Sequence, residues 1–236
     1  MNDEVKTVVI LAGGKGTRMR EETEFIPKPM VTIGGIPILE HLINYFSHYK
    51  KFNFVICTGY KENIIIDYFN ELKRENIFIL PTGEDTNTGG RIAMVKDYVS
   101  DNFIMTYGDG LSDININKLI DFHFSHNKIG TISTTKPLSR FGLVDFKDSG
   151  EVIAFTEKPL LDSYVNMGYM VFNKEIFKFI DGDEIFENEP LKKLAKNKEI
   201  FAFAHSGFFR PMDTYREYLE LNQMWEDDNA PWKIKF

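Results

Sequence analysis

Four groups of residues in this chain have the types and spacing to handle phosphate. The first is the loop Leu11-Ala12-Gly13-Gly14-Lys15-Gly16-Thr17-Arg18, which closes an apolar run beginning at Val8. Glycines let the backbone approach a phosphate closely, successive N–H groups form an anion-binding concavity, and Arg18 offers a forked donor for phosphate oxygens. The loop is not a Walker motif, because Lys15 is followed by Gly16. Nor is it a dinucleotide fingerprint, because Met19 stands where the third glycine belongs. A glycine-rich turn with a solvated Lys and Arg reads the same residues equally well. The second group is Pro27-Lys28-Pro29-Met30, whose prolines are expected to hold the segment extended and fix the direction of Lys28, although plain surface loops also carry such a lysine. The third is Tyr107-Gly108-Asp109-Gly110, which puts a carboxylate at a strand tip and is also an ordinary Asp-Gly turn. The fourth is Asp213, which either offers a second carboxylate or simply precedes a helix capping box spelled by Thr214 and Glu217. Mg²⁺ is held by one or two carboxylates plus substrate phosphates, so these groups together outline phosphoryl or nucleotidyl transfer.

The elements that must position these residues alternate between strand and helix. Val8–Leu11, Phe52–Thr58, Ile77–Leu80 and Asn102–Thr106 read as strands, and Pro37–Lys50, Lys61–Glu75 and Gly90–Val99 as helices between them. A helix over Ile116–His126 opens a second half with short strands at Thr131–Thr135, Phe141–Phe146, Val152–Glu157, Tyr164–Phe172 and Glu199–His205. Helical stretches lie at Lys174–Ile180, Glu189–Lys198 and Thr214–Trp225. The pattern predicts an α/β fold, one Rossmann-like domain over residues 1–236 with a mixed, mostly parallel central sheet flanked by helices. Ligands in such sheets bind beyond the carboxyl ends of the strands, which is where the loops after Leu11, Thr106 and Glu157 fall.

Composition narrows the partners. Of 236 residues, 28 are Lys or Arg and 35 Asp or Glu, so 28 − 35 = −7, which argues against non-specific binding to nucleic acid or to an anionic membrane. The single cysteine, Cys57, excludes an internal disulfide framework and fits a reducing compartment. No apolar run approaches the roughly 18 residues of a membrane span, and the mixed-charge start Met1-Asn2-Asp3-Glu4-Val5-Lys6 is unlike a secretory leader; a cytoplasmic protein is expected.

With its Gly-Gly-x-Gly-Thr-Arg loop followed by Pro-Lys-Pro, the chain resembles the sugar-nucleotide pyrophosphorylases. Arg140-Phe141-Gly142, Glu189-Pro190-Leu191, Gly207-Phe208-Phe209, Pro211-Met212-Asp213-Thr214 and Ala230-Pro231-Trp232-Lys233 narrow the likeness, nearly end to end, to the glucose-1-phosphate cytidylyltransferases. The resemblance implies a nucleotide-diphospho-sugar transferase fold and Mg²⁺-dependent joining of a nucleoside triphosphate, CTP, to a sugar 1-phosphate, glucose 1-phosphate, with release of pyrophosphate; it also implies a homo-oligomer. It implies Arg18, Lys28 and Asp109 as catalytic residues and Asp109 with Asp213 as metal ligands. Leu11, Ala12, Gly13, Gly14, Gly16, Thr17, Arg18, Thr88 and Gly90 would bind nucleotide, with the helix opened by Thr88-Gly89-Gly90 facing anions. Glu157 and Lys158 of Glu157-Lys158-Pro159, with Asn166 and Gly168, would bind sugar phosphate.

One departure stands out. Only 19 residues separate Tyr68 from Thr88, where the cytidylyltransferases carry a longer excursion; that length is closer to relatives using other nucleotides, such as heptose-phosphate guanylyltransferases. Guanylyl, uridylyl or thymidylyl transfer on the same scaffold therefore stays open, as does a non-catalytic nucleotide or sugar-phosphate sensor. A glycosyltransferase consuming nucleotide sugars would be expected to show an Asp-x-Asp metal motif, whose one match, Asp181-Gly182-Asp183, follows a helix and no strand tip. His123 and His126 have zinc spacing but no third ligand in view. Cys57 reads as a small core residue.

Overall fold

The computed structural model describes residues 4–233, without the side chains of Arg20 and Glu21; the charged start Met1-Asn2-Asp3 lies outside the described residues. The chain begins with β1 (Val5–Leu11), a single 3₁₀ turn at Thr17–Met19 and a short α1 (Arg20–Thr23). A hairpin of β2 (Thr32–Ile33) and β3 (Ile36–Pro37) leads into α2 (Ile38–Tyr49), then β4 (Asn53–Thr58), α3 (Glu62–Leu72), β5 (Ile77–Pro81), α4 (Thr88–Met94) and β6 (Asn102–Tyr107). The second half runs β7 (Gly110–Ser112), α5 (Ile116–His126), β8 (Gly130–Thr135), β9 (Leu143–Phe146), β10 (Val152–Thr156) and β11 (Val165–Asn173). It closes with α6 (Glu189–Lys196), β12 (Ile200–Ala204), β13 (Phe209–Pro211) and α7 (Tyr215–Glu226).

Seven strands form one sheet in the order β12-β8-β11-β6-β1-β4-β5. β1 pairs in parallel with β4 and β6, β4 with β5, and β8 with β12, while β11 is antiparallel to both β6 and β8. The sheet is thus mixed and mostly parallel, and its central strands β1, β4 and β6 are buried on both faces. Val8 and Ile10 of β1 enter one apolar cluster with α2, and Val9 and Leu11 enter the opposite cluster with Ile92 and Phe186. The stripe Ile38, Leu39, Leu42, Ile43 and Phe46 is wholly buried, as amphipathic spacing requires.

Two local expectations are corrected. Lys28 does not lie in an extended segment: Lys28–Met30 form a 3₁₀ turn closed by Met30 N–H to Pro27 O at 2.8 Å and Val31 N–H to Lys28 O at 3.1 Å. Pro29 tolerates this because a first helical turn needs no donor from it. Helix α4 stops at Met94 where the apolar spacing predicted Val99, because Val95 and Tyr98 donate back three residues, to Ile92 and Val95, and the chain continues as tightened turns.

Candidate active site

A cleft of about 810 Å³ opens where β1 and β6 end and β11 begins. At its centre is Lys28, whose side chain is only 10% exposed. Its ammonium donates to Asp109 Oδ2 at 2.5 Å and to Asp213 Oδ1 at 2.8 Å. Arg18 Nη1 donates to the other Asp213 oxygen at 3.0 Å. Burial opposes charge on Lys28, but Asp109 and then Asp213 outweigh it and raise its pKa above the ordinary lysine value. Burial likewise opposes ionisation of Asp213, yet Lys28 and Arg18 prevail and hold its carboxyl below the usual range.

The backbone explains why two carboxylates so distant in sequence meet. Gly108 N–H donates to Leu11 O at 3.0 Å, pinning the β6 tip to the start of the glycine loop. Met212 N–H donates to Asp109 O at 2.8 Å beside the β7–β13 pairing, which brings Asp213 opposite Asp109. The capping box is present too: Glu217 Oε2 accepts from Asp213 N at 2.8 Å and from Thr214 N at 2.9 Å, while Thr214 Oγ1 accepts from Glu217 N. Asp213 thus both precedes the cap and faces the cleft: the cap of α7 holds its backbone amide, while Lys28 and Arg18 hold its carboxylate. The Lys28 ammonium stands between Asp109 and Asp213 as a metal cation would, so the pair has the chemistry and convergence to sustain a divalent ion completed by phosphate oxygens. Among the described residues, no group of three or more Asp, Glu, His or Cys could hold a metal by itself.

The glycine loop lines the same cleft from Leu11 to Arg18. Beneath it lies a residue that the motifs did not reveal, Arg91. It is 4% exposed, and its guanidinium donates to Gly13 O (3.1 Å), Thr58 O (2.9 Å), Thr82 Oγ1 (2.5 Å) and Glu84 O (3.3 Å). A Cβ on Gly13 would fall 2.0 Å from Arg91 Nη1, which is why a glycine stands there. The signal was an arginine inside the apolar stripe Ile92, Val95 and Val99. Lys15 crosses the cleft mouth to Asp85 at 2.8 Å and Glu84 at 3.3 Å.

On the opposite wall Asn166 lines the cleft between Val165 and Met167, and its Oδ1 accepts from Gly168 N at 2.9 Å. Gly168 has φ +82°, and a Cβ there would come within 2.3 Å of the Tyr107 ring. Glu157 and Lys158, by contrast, are not among the lining residues: they are exposed and 3.5 Å from each other. Thr88 lines the cleft, but a Cβ on Gly90 would meet Asp183 Oδ1 at 2.2 Å, so Gly90 serves the packing of α4. The expectation that this helix turns its amides to an anion is corrected at two of them: Asp183 Oδ1 accepts from Asn87 N and Glu184 O from Gly89 N. Asp181 pairs with Lys193, so neither carboxylate of Asp181-Gly182-Asp183 is placed as a metal ligand of the cleft. His123 Nδ1 and His126 Nε2 both bond Thr131 Oγ1 of β8, and Cys57 is buried, which pushes its thiol pKa up to about 12.

Comparison with known proteins is consistent with this geometry. The nucleotidyl transferase family model matches residues 7–227. A glucose-1-phosphate cytidylyltransferase from Salmonella typhimurium is 41% identical over 252 residues, covering 95% of this chain and 98% of its own. A probable glucose-1-phosphate cytidylyltransferase from Bacillus subtilis is 39% identical over 251 residues, covering 96% and 98%. The crystal structure of HddC from Yersinia pseudotuberculosis complexed with GMP-PN superposes with a TM-score of 0.73 at 26% identity, covering 94% of this chain and all of that one.

Proposed function

The chain belongs to the nucleotidyl transferase family, and on that premise we propose that it joins CTP to glucose 1-phosphate, giving CDP-glucose and pyrophosphate. The observation that carries the reading is the Lys28 ammonium between Asp109 and Asp213 at the edge of the glycine loop. Likeness at about 40% identity to cytidylyltransferases over nearly the whole chain supports the substrate pair.

In this reading a phosphate oxygen of the sugar 1-phosphate attacks the α-phosphorus of CTP. A P–O bond forms there, the α–β anhydride bond breaks, and its electron pair leaves with pyrophosphate. The nucleophile is already an anion, so the protein's work is placement and charge neutralisation. Leu11, Ala12 and the Gly13, Gly14, Gly16 and Thr17 backbone, with Arg18, hold the triphosphate. Lys28 balances charge at the α-phosphate. Asp109 and Asp213 would hold Mg²⁺, which neutralises the phosphate oxygens when bound. Thr88, with Gly90 packing its helix, borders the nucleoside. Asn166 and Gly168 border the sugar, and Glu157 and Lys158, exposed beyond the cleft lining after β10, would have to swing toward it to meet its hydroxyls and phosphate. A homo-oligomer in the cytoplasm belongs to the same reading. The β9–β10 hairpin exposes Phe146, Val152, Ile153 and Phe155, each at least 60%, a concentration of apolar surface that a second copy would cover.

Pyrophosphate release with Mg²⁺, tested with CTP, GTP, UTP, dTTP and ATP against a panel of sugar 1-phosphates, checks the reading: CTP with glucose 1-phosphate is expected to turn over fastest. A second reading, guanylyl transfer, is favoured by the short segment between Tyr68 and Thr88 and by the neighbour complexed with GMP-PN. GTP turnover would select it.

A further inference from the structure

Glu187 is a side chain of the cleft that the reaction above leaves unused and that, unlike Glu84 and Asp85, does not pair with Lys15. It is half-buried and lines the cleft on the segment between β11 and α6. One carboxylate oxygen accepts the Tyr107 hydroxyl and the other accepts the Thr88 hydroxyl at 2.7 Å. Thr88 is fixed in turn, because its Oγ1 accepts Phe186 N–H at 2.9 Å. Tyr107 is fixed by the close approach of Gly168, where a Cβ would strike its ring. Three chain segments therefore hold one carboxylate in one orientation.

Each carboxylate oxygen has two acceptor positions, and each here is engaged by a single hydroxyl, so acceptor capacity remains on the cleft side. The cations of the cleft, Lys28, Arg18, Lys15 and the buried Arg91, gather at the glycine loop, whereas Glu187 stands between the hydroxyls of Thr88 and Tyr107, with Ile185 also lining that wall. A fixed anion there repels phosphate and accepts from neutral O–H donors. We propose that Glu187, held by Tyr107 and Thr88, is a specificity-determining residue that accepts a hydrogen bond from a hydroxyl of the bound nucleotide sugar, on its ribosyl or its glycosyl ring. The proposal rests on the nucleotidyl-transfer reading, and it gives the cleft a phosphate end and a hydroxyl end. A bond from a hydroxyl to a fixed carboxylate is charge-assisted, and its loss weakens binding about tenfold to a hundredfold.

The test is calorimetric binding to the whole chain, wild type and Glu187→Gln. The probes are CTP, 2′-deoxy-CTP, 3′-deoxy-CTP, CDP-glucose and CDP-sugars deoxygenated at single glucosyl positions, with the guanosine counterparts if those bind instead. The expected result is that wild type binds one deoxy analogue about tenfold to a hundredfold more weakly than its parent. Glu187→Gln binds the parent equally weakly and no longer distinguishes the two. A deoxyribose analogue in that role assigns the hydroxyl to the nucleoside, and a deoxyglucose analogue assigns it to the sugar. Uniform weakening of every ligand would mean a merely structural carboxylate and overturns the proposal, as does undiminished discrimination by the variant or a wild type that binds none of the probes. If Glu187→Gln does not fold, Tyr107→Phe is expected to lose part of the same discrimination, and a wild-type pattern in it overturns the proposal. Binding without turnover defeats the nucleotidyl-transfer reading alone; turnover with a discriminating Glu187→Gln defeats this proposal alone.

Discussion

Lys28 concentrates the electrostatics of the site, and its replacement is expected to act on both catalysis and stability. Lys28→Met keeps the stem and removes the ammonium, so pyrophosphate release is expected to fall by about 10²–10³, the scale of one electrostatic donor. The same variant leaves Asp109 and Asp213 facing each other, and its melting temperature is expected to fall; added Mg²⁺ should restore part of the loss, read by calorimetry with and without the ion. Asp213 sets the acid limb. Its folded pKa is depressed, so its contribution to stability is present above the unfolded value near 3.8 and is lost as pH falls through the lower folded value. In Asp213→Asn, melting temperature should therefore drop less steeply with acid below pH 3.8 than in wild type. Arg91 works at one remove. Arg91→Lys cannot reproduce four directed bonds to the loop carbonyls and Thr82, so KM for the nucleotide should rise with kcat changed less; a kcat loss at constant KM would mean that Arg91 does not position the loop.

Among the elements, the cap of α7 connects stability to chemistry. Thr214→Ala removes the hydroxyl that accepts from Glu217 N and is expected to cost about 1 kcal/mol, a melting shift of roughly 2–4 °C in a chain of this size. Because Glu217 also holds the Asp213 amide, activity should fall further than that loss alone explains, measured well below the melting point. The long elements were legible in the sequence because burial on two faces or one writes a clear period: β1, α2, β4, α5 and α7 lie within a few residues of their apolar patterns. Strand pairs of two or three residues, β2–β3 and β7–β13, carry no period, and so the pairing that seats Asp213 beside Asp109 could not be read. The glycine loop, Lys28 and both aspartates were legible as motifs, and the structure brings them together. Arg91 and Glu187 were not, because each acts through partners that only the fold supplies.

At the scale of the molecule, the sheet gathers the ends of β1 and β6 and the start of β11 at one edge, and the acidic chain concentrates its cleft cations there. The exposed β9–β10 hairpin is the other large-scale feature. Light scattering on the purified chain is expected to give a mass above the 27.4 kDa of one copy, and Phe146→Lys with Phe155→Lys should shift it toward one copy. A monomeric wild type would remove the oligomer from the reading and leave the cleft as it stands. The most direct test of the central claim is pyrophosphate release from CTP and glucose 1-phosphate in Mg²⁺, with Asp109→Asn alongside. Steady turnover by wild type that falls at least about a hundredfold in the variant is the predicted result. Wild-type activity retained in Asp109→Asn, or no turnover with any nucleoside triphosphate and sugar 1-phosphate pair, would contradict it.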